Sequence, residues 1–261
     1  MTGADGPRPP FPEDPPGRCA FFFDLDGTLA PIAPRPEEAA VPAATVGLLE
    51  RLAGSAAGAV AVVSGRSIDV VDRLLHPLRV PAAGLHGAQW RGPDGRLREL
   101  SVDPSRAGLL RARLDAVAAR HPGAHMEDKR ISFAVHYRHA PEHEAGIRRE
   151  VSAAAAGFER DYVVQPGKMV VEVKPRGADK GQALERFMAI APFASRLPVM
   201  AGDDLTDEPA FAAVARLGGV SIKIGCGDTA AAWRLPDPAA LADWLDALLA
   251  QASPRRAKDG G

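Results

Sequence analysis

Cysteine is nearly absent from this 261-residue sequence. Cys19 and Cys226 stand far apart, with no Cys or His at metal-ligand spacing around either. That excludes a disulfide scaffold and a structural zinc site, and both residues read as small buried hydrophobes. No apolar run approaches the roughly 20 residues of a membrane helix, and the N-terminus lacks the basic and apolar segments of a signal peptide. A cytoplasmic location is the expectation. Excess charge is missing too. With 32 Lys and Arg against 33 Asp and Glu, the formal charge is -1, so no global field draws in polyanions or a lipid surface, and neither nucleic acid nor membrane is an expected partner. What the chain does have is 46% hydrophobic content, enough for one sizeable core or two smaller ones.

Residues 1–18 carry prolines at 7, 9, 10, 12, 15 and 16 in a context almost without apolar side chains. This leader is expected to stay disordered and outside the fold, as is the short polar tail 253–261 with Arg255, Arg256 and Lys258. Between them strand and helix alternate. Cys19-Ala-Phe-Phe-Phe-Asp24 is too short for a helix and reads as a buried parallel strand. A helix around 42–53, an apolar run Ala59–Val63, a helix near 67–75 and a strand near 82–85 continue a βαβαβ pattern, hence a parallel sheet with right-handed crossovers. Gln89–Arg91 and Arg96–Arg98 flank Asp94-Gly95, a strong hairpin turn.

From Pro104 the rhythm changes. Leu110, Leu114 and Val117 fall at helical spacing, and extended segments follow around 124–129 and 131–137. In the second, Ile131, Phe133, Val135 and Tyr137 share one face while Ser132, His136 and Arg138 share the other. A helix near 142–156 and strands near 161–165 and 169–174 complete an αββαββ unit. The fold class expected is therefore α/β, a Rossmann-like parallel-sheet core with an inserted α+β domain. The core comprises 19–103 and 176–252, the insertion 104–175. After it come a helix from Lys180, a strand Leu197–Ala201, a helix from Thr206, a strand near 219–224 and an amphipathic C-terminal helix.

The chemistry-bearing residues gather at predicted strand ends. Asp24-Leu-Asp-Gly-Thr28 puts two carboxylates and a hydroxyl at the carboxyl edge of a parallel sheet, where open α/β folds bind ligands. Alternation points Asp24 and Asp26 the same way, and like charges that close repel unless a cation compensates. An oxygen-only donor set favours Mg2+. Ser64-Gly65-Arg66 ends the second strand with a hydroxyl, an approachable backbone and a cation, although taken alone a turn with a solvated Arg is the simpler account. Gly202-Asp-Asp-Leu-Thr-Asp-Glu208 adds acids at another strand end. Thr206 or Asp207 suffices to cap a helix, whereas Asp203 and Asp204 crowd the first pair and call for counter-charge. Lys180 opens a helix whose dipole opposes it, so it wants an anionic partner. Five histidines, at 121, 125, 136, 139 and 143, fall in the insertion; Pro141 breaks the one helical spacing among them, and they read as surface residues rather than a metal site.

Asp24–Thr28, Ser64, Lys180 and Gly202–Asp207 together resemble the four motifs of the haloacid dehalogenase-like phosphohydrolases, with the insertion resembling their C2-type cap. Ser64-Gly-Arg66, Gly84-Leu-His-Gly87, Met126-Glu-Asp-Lys129, Val171-Glu-Val-Lys-Pro175 and Gly202–Glu208 resemble most the trehalose-6-phosphate phosphatases. The resemblance implies that Asp24 attacks phosphorus, Asp26 serves as acid and base, and Ser64 and Lys180 hold phosphoryl oxygens. It implies Mg2+ on Asp24, the Asp26 main-chain carbonyl and Asp203, with Asp204 or Asp207 in support. Thr28, Arg66, His86, Glu127, Lys129 and Glu172 are the expected substrate contacts, with Lys174 and Arg138 as further candidates. From pattern alone a solvated sheet face is the simpler account of Glu127 and Lys129; the family string turns the reading toward sugar. The expected partners are a small-molecule sugar phosphate, trehalose 6-phosphate, and by functional coupling a trehalose-6-phosphate synthase; the chain is expected to be a monomer. The same chemistry on another sugar phosphate, a phosphomutase and a silent sugar-phosphate sensor remain alternatives.

Overall fold

The computed structural model describes Pro9, residues 16–167 and residues 169–252. Five consecutive apolar residues form β1 (Cys19–Phe23), and all are buried. A strand covered by helices on both faces must be apolar throughout rather than alternating. Phe22 meets Phe187 and Phe193, with ring centroids 6.0 and 5.5 Å away, while Phe21 and Phe23 stack along the opposite face.

β1 lies mid-sheet. To one side stand β2 (Val60–Val63), β3 (Ala82–Gly84), β4 (Gln89–Arg91) and β5 (Leu97–Glu99). To the other stand β10 (Leu197–Gly202), β11 (Val220–Ile224) and β12 (Trp233–Leu235), so the eight-stranded order is β12-β11-β10-β1-β2-β3-β4-β5. The strands from β12 to β3 run parallel, and β4 and β5 continue antiparallel. Helix α1 (Ala43–Ser55) packs with α7 (Pro238–Ala252), and α5 (Lys180–Met188) with α6 (Glu208–Arg216); α2 (Ile68–Leu75) lies beside β3. Chain order reverses at β1, which opens a crevice beyond its carboxyl end. There the site forms.

Between β5 and α5 the chain builds α3 (Pro104–Arg120), β6 (His125–Asp128), β7 (Phe133–His136), α4 (Glu144–Ala154), β8 (Tyr162–Gly167) and β9 (Val170–Pro175). The strands form a separate antiparallel sheet, β6-β7-β9-β8. Asp103 starts α3 by accepting from the Ser105 and Arg106 amides, with Pro104 at the first turn, where a missing N–H costs nothing. Leu110, Leu114, Ile147, Val151, Phe133, Val135, Val171 and Val173 give this sheet its own core. The α/β class with an α+β insertion is as expected.

Several details differ from expectation. The leader and the tail lie outside the described residues except for Pro9 and Pro16–Arg18, and these four touch the fold. Pro16 is buried in a 3-10 turn, and the buried Pro9 accepts from Trp244 Nε1 at 3.1 Å. A buried indole N–H needs an acceptor, and proline supplies one with an apolar ring attached. Cys226 is exposed rather than buried, because it sits in the glycine-flanked loop after β11. The helix expected from Thr206 begins as a 3-10 turn, Leu205–Asp207, before α6. Strand β12 is three residues long, too short for periodicity to announce it.

Candidate active site

Main-chain bonding fixes the end of β1: the Asp24 amide donates to Ala201 O at 2.9 Å. The chain then turns sharply through Gly27 at φ +77°, where a Cβ would lie 2.1 Å from Asp203 Oδ2. No side chain fits there. Lys180, 1% exposed, reaches in from α5 with Nζ 2.8 Å from Asp24 Oδ1 and 2.7 Å from Asp207 Oδ1. Its buried ammonium is satisfied by the two carboxylates, which hold its pKa above the ordinary lysine value against the opposing effect of burial.

Asp24, Asp203 and Asp207 bring carboxylate oxygens within 4.8 Å of one another. Burial, with Asp207 and Asp203 adding to it, lifts the Asp24 carboxyl well above the usual range despite Lys180; burial and Asp207 push Asp203 up to about 6. One lysine is too little cation for three acids. The donor set is all oxygen and partly desolvated, which fits a hard divalent ion. Asp207 Oδ2 is already taken by the Asp204 amide at 3.0 Å, and the Asp204 carboxylate reciprocates as the cap of the same turn. Asp203 and Asp24 are thus the acids freest to bind an ion. Behind Asp203, the buried Lys223 ammonium donates to Asp203 O and to Ile224 O at 3.2 Å.

Around this cluster stand the other predicted residues. Ser64 is buried at the end of β2, and its Oγ accepts from the Arg66 amide at 3.1 Å. Arg66 grips Asp26 with a two-pronged fork, Nε to Oδ2 at 2.6 Å and Nη2 to Oδ1 at 2.7 Å. Thr28 Oγ1 is buried without a hydrogen-bond partner. His86 is 6% exposed; Nε2 lies 2.8 Å from Glu172 Oε2, within ion-pair reach but off the line of a hydrogen bond, so neither ring nitrogen has an aligned partner. Burial lowers the His86 pKa although Glu172 opposes it.

The insertion faces this edge across a cavity of about 630 Å3, lined on one side by Asp24, Ser64 and Lys180 and on the other by Glu127, Lys129 and Glu172. Lys129 Nζ stands 3.5 Å from Glu172 Oε1 and 3.6 Å from Glu127 Oε2. Burial alone raises the Glu172 carboxyl, but His86, Lys129 and Lys174 outweigh it and hold the group well below its ordinary value. Lys174 is itself buried, which lowers its pKa; it does not line the cavity, whereas Arg138 does. His136 was expected among the surface histidines, yet it lines the cavity and its Nε2 is 2.8 Å from Glu127 Oε2. Its place on the polar face of β7 was the available signal. Lys223 carried no such signal, since nothing local in sequence ties it to Asp203.

The family model described as Trehalose-phosphatase matches residues 22–239. Over 229 residues, 88% of this chain and 86% of the relative, the sequence is 44% identical to the trehalose-6-phosphate phosphatase of Escherichia coli (strain K12). The C-terminal domain of C. albicans trehalose-6-phosphate phosphatase superposes with a TM-score of 0.79 at 23% identity, over 90% of this chain and 92% of that one. A haloacid dehalogenase-like hydrolase from B. subtilis gives a TM-score of 0.61 at 18% identity, over 88% and 99%. These two structural likenesses are of fold.

Proposed function

The chain belongs to the trehalose-phosphatase family of phosphoric monoester hydrolases, and on that premise we propose that it hydrolyses trehalose 6-phosphate to trehalose and phosphate, the last step of trehalose biosynthesis. The observation that carries the reading is the Asp24–Lys180 pair at the sheet edge, with Asp203 and Asp207 beside it and Glu127, Lys129 and Glu172 facing it across one cavity.

In this reading an Asp24 carboxylate oxygen attacks phosphorus, the bond from phosphorus to the sugar oxygen breaks, and Asp26 gives that oxygen a proton. Asp26 then takes a proton from water, whose oxygen attacks the same phosphorus and frees Asp24. Arg66 orients Asp26 through its fork, which leaves a second lone pair on each carboxylate oxygen for the proton. Ser64 and Lys180 hold phosphoryl oxygens, and Thr28 offers its unpartnered hydroxyl to the same group. Mg2+, when bound by Asp24, Asp203 and the Asp26 main-chain carbonyl with Asp207 behind them, supplies positive charge against the negative charge of the transferring group.

Residues 104–175 act as a cap that closes over the core formed by 19–103 and 176–252 and excludes bulk water. Sheet-edge acids and bases recognise only a phosphate, so sugar selection falls to Glu127, Lys129 and Glu172, whose alternating charges offer acceptors and donors to a hydroxyl-rich ligand. A trehalose-6-phosphate synthase supplies the substrate, and the chain works as a cytoplasmic monomer. The test is phosphate release from trehalose 6-phosphate, glucose 6-phosphate and sucrose 6-phosphate, each with and without Mg2+. Trehalose 6-phosphate is expected to lead, and only with the metal; a different leading sugar phosphate overturns the substrate and leaves the reaction class.

A further inference from the structure

Backbone strain marks the segment that follows β3. Leu85 and His86 have φ of +50° and +56°, a region that residues with a Cβ rarely adopt. Two main-chain bonds hold them there, and both come from one turn. The Leu85 amide donates to Arg66 O at 2.9 Å, and the His86 amide donates to Ser64 O at 2.9 Å. The imidazole then lies against Gly65, where a Cβ would come within 2.7 Å of both Cε1 and Nε2. Gly65 is glycine because the ring occupies that space.

On its other side the same ring meets the insertion, with Nε2 2.8 Å from Glu172 Oε2 on β9. His86 therefore touches two bodies at once. Its backbone belongs to the turn Ser64-Gly65-Arg66, and its ring is within reach of a carboxylate on the sheet that faces the cavity. Glu172 in turn lies 3.5 Å from Lys129, so the charges of that sheet lead without a gap to His86.

We infer that His86 is a positioning residue through which Glu172 fixes the Ser64-Gly65-Arg66 turn, so that the sheet reading the sugar also sets the geometry of the turn holding the phosphate. This rests on the reading of the site given above. Its consequence is that loss of the Glu172 contact loosens the turn even toward a phosphate that carries no sugar.

The probe is inorganic phosphate, titrated calorimetrically into the full chain with Mg2+ present. Glu172→Gln removes a negative charge, which by electrostatics alone tightens an anion. The His86 link predicts the opposite sign: Kd for phosphate rises about fivefold, within the usual range of coupling between contacting residues. In the His86→Asn background, where the shorter amide cannot reach Glu172, only the electrostatic effect remains, and Glu172→Gln leaves Kd unchanged or lowers it. His86→Gln, which places an N–H near the position of Nε2, keeps most of the affinity. An unchanged or lowered Kd in Glu172→Gln overturns the proposal, and so does an equal rise in both backgrounds. Should His86→Asn not fold, the sign of the Glu172→Gln change decides alone. Turnover of trehalose 6-phosphate by the unmutated chain is scored separately. Its absence overturns the substrate reading, whereas phosphate binding tests the His86 link in either case.

Discussion

Glu127 and Glu172 stand in one cross-strand row of the four-stranded sheet, each in register with Ala134 between them. A residue with no side chain beyond Cβ thus leaves room between the two carboxylates, and Lys129 Nζ lies 3.6 and 3.5 Å from them. Ala134→Leu fills that room. Expected is a rise of about tenfold in KM for trehalose 6-phosphate, with a much smaller change for p-nitrophenyl phosphate, which has no sugar to place. Steady-state kinetics on both esters checks it.

Lys180 is the buried counter-charge of two acids. In Lys180→Met both carboxylates lose it, and leaving a buried charge unpaired costs about 3–5 kcal/mol. For a chain this size that corresponds to a fall of about 10 °C in Tm. Differential scanning calorimetry measures the loss, and phosphatase activity disappears with it. Unchanged stability would mean that Asp24 and Asp207 share a proton in place of the lysine.

On the proposed reading, a metal ion and protons compete for the cluster of Asp24, Asp203 and Asp207. Asp203 titrates at about 6 and Asp24 is also raised, whereas unfolded aspartates titrate near 3.8. Between these values the folded chain binds more protons than the unfolded one, so stability without metal is lost as pH rises through about 6. Mg2+ needs the carboxylates ionised and displaces those protons. Its affinity is expected to climb from pH 5 to 7, with proton release visible as a dependence of the calorimetric heat on buffer ionisation enthalpy. Denaturation curves with Mg2+ should lose the decline seen without it.

Arg66 and Asp26 form a fork that a lysine cannot reproduce, because an ammonium is a point charge. Arg66→Lys should leave the protein folded, checked by thermal unfolding. A drop in kcat of about 10- to 100-fold is expected as Asp26, the proton carrier proposed above, loses its orientation. Full kcat in that variant excludes an orienting role for the fork.

The parts legible in the sequence were those written locally. Cys19–Phe23 is apolar at every position because both its faces are covered, and Asp24–Thr28 is a contiguous string at a strand end. The alternation of Ile131, Phe133, Val135 and Tyr137 announced β7, and all four side chains are buried. What stayed hidden was set by tertiary contact. The grip of Arg66 on Asp26 joins residues from two strand ends, and the hydrogen bond from Trp244 to Pro9 joins the two ends of the chain. The partner of His136 is a carboxylate on the neighbouring strand, a contact that the spacing of histidines along the chain does not reveal.

The neighbours of β1 have one more effect, on the nascent chain. β2 follows closely, but the opposite edge of β1 is closed only by β10, with Cys19 paired to Leu197. During synthesis the entire insertion emerges before that partner does, leaving a wholly apolar strand with one bare edge in the meantime. Until β10 is made, β1 is an apolar edge open to pairing with other chains, so the length of the insertion sets how long the core stays incomplete.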